Sequence, residues 1–405
     1  MKLTEDMLDE FVRKSDELGG PGHPGCDAYW ADFTYQPVYP VNQSLDPFSE
    51  AYVDEQLSLY RELSGREMDQ AENELTTIDR KRHVAAPNPY DHPDPLALAD
   101  HMSRLIRAFR KSGAPRDSHL LDMGCGWGLS SEVAAYLGYR VTAVDINPEF
   151  VALVNARARR MGWPITAVQS EFDAYRPEPG TDLVMFYECL HHAVRPWTLI
   201  RTMADSLKPQ TGKLLLAGEP INDYWWVHWG LRLDPMSIYC IRKFGWFESG
   251  WSRPFLEECF RRAGLSVNID TDEHGATVVG QRIPQGDYSA RAYLAATRSE
   301  GFVVESEMAV TSGAGSFDIV FPAGASRAYI KFLCYRPKGL QLDVSADGAP
   351  VYSAVAPAEF TDVMVERGGG HMTIDVRCET WTPDEDIGNG DTRRLGIHLY
   401  SVAFY

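Results

Sequence analysis

Short apolar runs alternate with amphipathic segments between residues 118 and 282, and this alternation constrains the fold more than any other feature of the chain. The runs have the composition of buried strands, and the segments between them space their apolar residues as helices do. Parallel strands need such crossover segments to return to the same edge of a sheet. The pattern therefore predicts an α/β core in which helices cover both faces of a parallel sheet.

The first predicted strand runs into a glycine-rich turn, LLDMGCGWGLSS, that leads into a helix. Gly124, Gly126 and Gly128 allow the backbone to turn tightly and to come close to a ligand. The turn lacks the lysine of the nucleoside-triphosphate loop. Its third glycine also comes one residue too early for the G-x-G-x-x-G dinucleotide pattern. The turn therefore indicates a ligand site of another kind.

The D-x-G-C-G-x-G pattern from Asp122 to Gly128 resembles motif I of class I S-adenosylmethionine-dependent methyltransferases, and the resemblance extends over residues 120–264. It implies a Rossmann-like methyltransferase core with S-adenosyl-L-methionine as cofactor. It also implies a ribose ligand at Asp145, because a carboxylate accepts hydrogen bonds from both hydroxyls of a diol. Glu171 would meet the adenine amine, with Phe172 beside the ring. The cofactor-binding residues that we expect are Asp122, Gly124, Cys125, Gly126, Gly128, Asp145, Ile146, Glu171, Phe172 and Glu188.

Two histidines, His191 and His192, follow the fourth strand of the core. Reacting groups in open α/β sheets lie beyond the carboxyl ends of the strands, and histidine titrates near neutrality. The Leu-His-His arrangement resembles that of sugar O-methyltransferases acting on antibiotic glycosides, in which one histidine of such a pair is the base. We predict a sugar hydroxyl as acceptor and His192 as general base, with His191 as the alternative. The competing interpretation is a pair of loop or core histidines bonded to backbone.

Carboxylates follow the fifth strand, where Glu219 and Asp223 are candidates to orient the histidine or to bind an acceptor hydroxyl. Each has a simpler interpretation as a helix cap or a solvated side chain. Together with Glu188 they offer oxygen ligands of the kind that Mg²⁺ takes. The sequence lacks a clear Asp/Asp/Asn trio, and we therefore expect no metal.

The segment Ile221–Trp251 contains five of the ten tryptophans of the chain. Aromatic rings stack on sugar faces, and arginines can hold a phosphate or a carboxylate. We therefore expect this insertion to cover the acceptor. A hydrophobic plug or a contact in a homo-oligomer is the alternative. The substrate-binding residues that we predict are Trp225, Trp226, Trp229, Arg232, Tyr239 and Arg242.

The regions on either side of the core have different patterns. Residues 1–115 form a helical extension or cap, in which NELTTIDRKRHVAAPNPYDHP is expected to fold over the cofactor and GGPGHPGCDAYWADFTYQPVYP not to form a regular helix. Residues 116–283 are the methyltransferase core. Residues 284–405 contain short alternating runs that predict an all-β sandwich for carbohydrate contact or oligomerisation. Its ending, which includes Asp391, Arg393 and Arg394, resembles one found in bacterial proteins that assemble surface polysaccharides.

Composition limits the partners. The formal net charge of −18 argues against nucleic acid, and no apolar run approaches the length needed to insert stably in a membrane. Seven scattered cysteines without a C-x-x-C pair fit a reducing cytoplasm. Together with the resemblances described above, these features lead us to expect a cytoplasmic enzyme that methylates a sugar hydroxyl of a bacterial glycan or nucleotide-sugar. The alternatives are N- or C-methylation of a small metabolite or lipid, and an inactive glycan-binding scaffold.

Overall fold

A computed structural model describes residues 2–91, 94–209, 211–222, 228–273, 275–282, 286–322, 325–367 and 371–405. The chain divides into two compact units. The first comprises Met1–Ser206, Leu214–Cys259 and Asp270–Val278, and the second comprises Leu207–Lys213, Phe260–Ile269 and Val279–Tyr405. Within the described ranges, every helix is too short or too polar to cross a bilayer.

The N-terminal region is helical, as the sequence predicts. Its elements are β1 (Lys2–Leu3), α1 (Leu8–Glu17), α2 (Pro24–Trp30), β2 (Thr34–Tyr35), α3 (Glu50–Ser64), α4 (Gln70–Asn73), α5 (Arg80–Ala85) and α6 (Pro95–Ser112). Helix α2 lies inside the Gly- and Pro-rich stretch for which no regular helix was expected. It forms because Pro24 occupies its first turn and the His23 side chain accepts the Gly25 N–H. The prolines and glycines of this stretch therefore begin a helix.

The central sheet has seven strands in the order β10-β11-β7-β6-β3-β4-β5. Strand β3 pairs in parallel with both β4 and β6, and β4 pairs in parallel with β5. The strands of this region are β3 (His119–Met123), β4 (Arg140–Asp145), β5 (Ile165–Gln169), β6 (Leu183–Tyr187), β7 (Lys213–Ala217), β8 (Trp229–Leu231), β9 (Ser249–Trp251), β10 (Leu265–Asp272) and β11 (Gly275–Arg282). The order brings the ends of β3, β4 and β6 to one edge of the sheet, where the predicted site residues follow them.

The helices of the core are α7 (Leu129–Tyr136), α8 (Pro148–Met161), α9 (Pro196–Ser206), α10 (Pro235–Phe244) and α11 (Arg253–Arg262). Helices α8 and α10 have the same kinds of residues at their ends. Each begins with an Asn or Asp cap followed by proline, and each ends at a glycine in the left-handed region. The cap side chain accepts a backbone N–H of the first turn, and the glycine adopts the positive φ at little cost.

The C-terminal region is all-β and antiparallel, which confirms the predicted fold class. Seven strands follow the order β17-β16-β19-β14-β20-β15-β18, while β12 pairs with β20 and β13 pairs with β14. They form one continuous sheet that curves around a shared apolar core and is nearly barrel-like. Its elements are β12 (Gly286–Ser289), α12 (Ala290–Ala296), β13 (Ser299–Glu305), β14 (Met308–Val320), β15 (Arg327–Leu333), β16 (Leu340–Ala346), β17 (Ala349–Ala356), β18 (Phe360–Glu366), β19 (His371–Cys378), α13 (Pro383–Ile387) and β20 (His398–Phe404).

Candidate functional site

The glycine turn after β3 opens one side of a cavity. Gly124 has φ +65°, and a Cβ at this position would lie 2.8 Å from the Cys189 sulfur. Gly126 has φ +48°, and a Cβ there would meet no heavy atom within 4 Å. The first glycine is therefore required by close packing, while the second faces open space where a ligand can approach the backbone.

Asp145 lies at the end of β4 and is 8% exposed. Its Oδ2 accepts the Gly126 N–H at 2.7 Å, and its Oδ1 accepts the Asn147 N–H at 2.8 Å. Burial raises the pKa of this carboxyl to about 6, although these two backbone N–H groups oppose the shift. Each oxygen keeps a second lone pair for a ligand hydroxyl. The carboxylate is therefore fixed in place and still able to accept a diol.

The cavity between these strand ends has a volume of about 560 Å³. This lies within the range of small-molecule and cofactor sites. Its wall combines backbone at the glycine turn, aromatic rings, carboxylates and one histidine. The residues that line it are Gln70, Glu74, Thr76, Gly124, Gly126, Trp127, Asp145, Ile146, Phe150, Ser170, Glu171, Phe172, Glu188, Cys189, His192, Phe244 and Trp246.

Three of the expected cofactor residues are not among the described residues that line the cavity: Asp122, Cys125 and Gly128. They belong to the structure that supports the glycine turn. The fully buried Asp122 accepts hydrogen bonds from the Ser130 and Ser131 hydroxyls at 2.7 and 2.5 Å. The Cys125 N–H donates to the Val144 carbonyl, and Gly128 precedes α7 with φ +86°. These contacts tie the glycine turn to its neighbouring strand and to the following helix.

Glu188 follows β6 with φ +51°, in the left-handed region that non-glycine residues seldom adopt. A Cβ at Gly218 would lie 2.5 Å from its Cγ, so the neighbouring strand end makes room for this conformation. Its carboxylate is paired with Arg104 and lies in the cavity wall. Burial raises the pKa of Glu188, Arg104 opposes the rise, and Glu219 adds to it.

Glu219 organises the turn that carries both histidines. Its carboxylate accepts the N–H groups of Cys189, Leu190 and His191 at 2.9–3.2 Å, and His191 Nδ1 lies 2.9 Å from its Oε2. Burial opposes its ionisation, but His191 and the backbone N–H groups outweigh burial and lower the pKa of Glu219. His191 is 7% exposed and is held between Glu219 and Glu248, whose Oε2 lies 3.6 Å from its Nε2.

His192 is the histidine that reaches the cavity wall. Its Nδ1 lies 3.3 Å from Glu74 Oε1, and its carbonyl accepts the Gln70 side-chain N–H at 2.6 Å. The edge of its ring meets Trp246 at a centroid distance of 6.0 Å. The two adjacent histidines therefore occupy different environments, one buried on Glu219 and the other at the cavity.

Comparisons with known proteins bear on this cavity. Residues 120–210 match the family model described as "Methyltransferase domain". A ubiquinone biosynthesis O-methyltransferase of Xanthomonas euvesicatoria pv. vesicatoria is 41% identical over 102 residues, which are 25% of this chain and 42% of that protein. A relative of the same name in Xanthomonas axonopodis pv. citri is 40% identical over 105 residues, 25% of this chain and 44% of that protein. The chain thus spans less than half the length of these relatives.

The chain contains a class I S-adenosylmethionine-dependent methyltransferase domain. Two solved structures align with it. One is an S-adenosylmethionine-dependent methyltransferase from Aquifex aeolicus, with a TM-score of 0.38 and 15% identity over 51% of this chain and all of that chain. The other is a phosphoethanolamine N-methyltransferase of Haemonchus contortus in complex with S-adenosyl-L-methionine, with a TM-score of 0.36 and 20% identity over 42% of this chain and 38% of that chain.

S-adenosylmethionine is the cofactor of this methyltransferase domain, and the cavity fits it. The spare lone pairs of Asp145 suit the ribose hydroxyls, and open space at Gly126 lets the ligand approach the turn. Glu171 and Phe172 lie together in the wall, as a carboxylate and a ring for the adenine would. Ile146 is beside them. The structure thus gathers seven of the ten expected cofactor residues along the wall of the methyltransferase domain.

The predicted acceptor residues of the methyltransferase domain are more dispersed. Trp229 is fully buried, and its indole N–H donates to the Pro47 carbonyl. Tyr239 is 3% exposed and donates to Asp16. Arg232 pairs with Asp234 and Glu248, and Arg242 with Asp9. These contacts favour packing roles for the four residues over contact with an acceptor. Asp223, Trp225 and Trp226 lie outside the described residues.

Sequence reasoning did not single out Gln70, Glu74, Phe150, Phe244 or Trp246 individually, yet all five line the cavity. A signal existed for two regions. Glu74 and Thr76 belong to the stretch expected to fold over the cofactor, and Asn147 Nδ2 donates to the Thr76 carbonyl at 2.9 Å. Trp246 belongs to the aromatic insertion, and it stacks on Phe244 at 4.8 Å. The segments could be anticipated, but not the side chains that face inward.

Proposed function

We propose that the protein transfers the methyl group of S-adenosylmethionine to a sugar hydroxyl of a bacterial glycan, with His192 as general base. One observation carries this proposal. His192 lies in the wall of the cofactor cavity, beyond the end of β6, with a carboxylate at its Nδ1. A paired imidazole at this edge of the sheet is suited to take a proton from an attacking hydroxyl.

Each group has a defined task in this reaction. When bound, S-adenosylmethionine supplies an electrophilic methyl group on a positively charged sulfur. His192 would receive the proton of the acceptor hydroxyl that this methyl group is transferred to. Glu219 holds His191 and the turn, so that His192 keeps its position. Asp145 and Glu171 would hold the ribose and the adenine, and Glu188 lies nearer to the histidines in the same wall.

The charges around the site favour an uncharged acceptor over a nucleotide-sugar. The predicted phosphate ligands Arg232 and Arg242 are paired with carboxylates, and Lys243 donates to Asp16. The described wall of the cavity contains Glu74, Asp145, Glu171 and Glu188 but no lysine or arginine. Phe244 and Trp246 offer apolar surface for the face of a sugar ring. These features support a neutral sugar hydroxyl within a glycan.

A second candidate function is O-methylation of a small aromatic acceptor. The relatives named ubiquinone biosynthesis O-methyltransferase favour it. The family match over residues 120–210 includes the glycine turn, Asp145 and both histidines. The aromatic side of the cavity, with Trp127, Phe150 and Trp246, would accept a planar ring equally well. Both candidates use the same base and differ in the acceptor that carries the hydroxyl.

Transfer of labelled methyl from S-adenosylmethionine into separated acceptor pools tests the proposal. The pools are nucleotide-sugars, surface polysaccharide, and lipids that include quinone precursors. We expect label in polysaccharide with the unaltered protein and about 100-fold less with His192→Ala. Label in lipid alone would establish the second candidate. Label in nucleotide-sugars alone would contradict the argument from the charges of the cavity.

We further propose a division of tasks among residues 1–115, 116–283 and 284–405. The first region would close the cofactor site, the second would perform the transfer, and the third would contact the glycan. A groove of about 550 Å³ on the C-terminal sheet supports the last task, since Tyr329, Lys331, Asp362 and Tyr405 line it. Tyr329→Ala should lower methylation of polymer more than that of a short glycan. Equal losses on both acceptors would refute this role.

A further inference from the structure

Glu74 follows the short helix α4 in the N-terminal region, outside the part of the chain that matches the methyltransferase family. Its Oε1 lies 3.3 Å from Nδ1 of His192, and both side chains are less than one fifth exposed. Neither of these two buried atoms has an aligned hydrogen bond within the described residues. A buried carboxylate oxygen and a buried imidazole nitrogen are costly unless something compensates them. The contact between the two supplies that compensation.

The other charged groups near His192 are engaged elsewhere. Glu219 accepts three backbone N–H groups and binds His191 Nδ1. Glu248 lies 3.6 Å from His191 Nε2 and 3.8 Å from Arg232 Nη1. Glu248 also approaches the ring, since one of its carboxylate oxygens lies within 4.8 Å of a His192 nitrogen. Among the carboxylates that the structure describes, Glu74 makes the ion-pair contact with His192, at 3.3 Å from its Nδ1.

The same segment also holds the backbone of His192. Gln70, four residues before Glu74, donates its side-chain N–H to the His192 carbonyl at 2.6 Å. Farther along, Asn147 binds the Thr76 carbonyl and so fixes the segment on the cofactor side. Glu74 therefore lies between two anchor points, and its distance from the imidazole is set by both of them.

We propose that Glu74 is the positioning residue of the acceptor site: it holds His192 through Nδ1, so that Nε2 remains to take the proton of the acceptor. A carboxylate at Nδ1 selects the tautomer whose Nε2 lone pair is free, and it stabilises the imidazolium formed on proton transfer. This inference rests on the proposed function. It adds that a residue outside the matched domain holds the base in position.

The electrostatics agree with this geometry. Burial opposes protonation of His192. The negative charge of Glu74, to which Glu248 and Glu219 add, outweighs burial and raises the pKa of His192 to about 9. The ring is therefore protonated at neutral pH in the free protein. A base must lose this proton before it can act, and a cationic cofactor in the same cavity favours that loss. Methyl transfer should therefore increase as the pH rises toward 9.

The test compares Glu74→Gln with Glu74→Asp and with a control, Glu72→Gln, which changes an exposed carboxylate two residues away. NMR titration of His192 in the full chain, free and with S-adenosylhomocysteine, gives a readout that needs no acceptor. We expect Glu74→Gln to lower the pKa of His192 from about 9 toward the ordinary value of histidine. It should move the ascending limb of the pH profile to lower pH and reduce turnover on the plateau above that limb at least about tenfold. Glu74→Asp should retain part of the raised pKa of His192 and part of the turnover. The control should change neither the pKa of His192 nor the turnover.

The outcomes separate this inference from the proposed function. An unchanged His192 titration and pH limb in Glu74→Gln, with thermal melting showing a folded protein, would overturn the role of Glu74 even if methyl transfer continues. A shifted titration in a protein that methylates none of the acceptor pools would support the pairing and refute the proposed function.

Discussion

The two sides of the cavity are built in different ways. The cofactor side consists of consecutive strand ends within residues 120–210, and short-range contacts such as the hydrogen bond from Gly126 to Asp145 fix its shape. The acceptor side draws Glu74 from the N-terminal region and Trp246 from the insertion, on either side of the matched domain. One side therefore lies within the residues that match the family, while the other draws on segments outside them. Substitutions should separate the two by their effects on binding and on turnover.

The largest effect is expected on the cofactor side. Asp145→Ala removes a carboxylate that would accept two hydroxyl hydrogen bonds, each worth about 1.5–3 kcal/mol for a charged acceptor. Affinity for S-adenosylmethionine should fall roughly 100-fold or more, as measured by calorimetry. Asp145→Asn, which keeps one acceptor oxygen, should lose less. Unchanged affinity in the folded alanine variant would refute the cofactor site.

The histidines give the next largest effect and distinguish chemistry from support. His192→Ala should leave cofactor affinity intact and reduce turnover about 100-fold. His191→Ala should instead reduce the free energy of unfolding by about 1–3 kcal/mol, because Glu219 loses a buried partner. Denaturant unfolding and steady-state turnover, measured on both variants, test this difference. A reversal of the two results would make His191 the base.

The pH dependence of cofactor affinity is a smaller effect. Burial raises the pKa of Asp145 to about 6, so the carboxylate loses its charge as the pH falls through that value. Its ability to accept two hydroxyl hydrogen bonds declines with it. Affinity should be constant at higher pH and about tenfold weaker at pH 5. Calorimetry between pH 5 and 8 tests this, and Asp145→Asn should remove most of the dependence.

The smallest effect is expected at the arginines that the sequence assigned to the acceptor. Arg242→Ala removes an ion pair with Asp9, whose side chain is 83% exposed, and such pairs contribute up to about 1 kcal/mol. The KM for a neutral acceptor should change less than about twofold. A large rise in KM would show that Arg242 binds the acceptor, and the acceptor side would then extend beyond the wall described above.

The contrast between the two sides also explains what the sequence could predict. The glycine turn, Asp145 and Glu171 lie at strand ends or within two residues of them, so an alternating pattern and a local motif were enough to place them. The all-β C-terminal region was equally accessible, because strand alternation and turn residues are local signals. Helix α2 was missed, since the same proline and glycine residues can break a helix or begin one.

The acceptor side was less accessible for a physical reason. Which histidine faces the cavity depends on Glu219. This carboxylate becomes a neighbour of His191 only when the sheet forms. The sequence suggested that Glu219 would orient a histidine, and in the structure Glu219 lies at His191 while Glu74 lies beside His192. Likewise, two tryptophans of the same insertion lie in different environments: Trp229 is buried, and Trp246 lines the wall of the cavity. Long-range packing decides such choices, and local spacing cannot.

Asn147 shows how one residue can mislead a genetic experiment. Its backbone N–H donates to Asp145, its side-chain oxygen accepts the Glu149 N–H at the start of α8, and its amide donates to the Thr76 carbonyl. A substitution there loosens the start of α8 and the segment that contains Thr76 together. A screen for loss of function would return Asn147 beside Asp145, and its phenotype would suggest a cofactor ligand. Its importance would instead be that of a joint between two parts of the molecule.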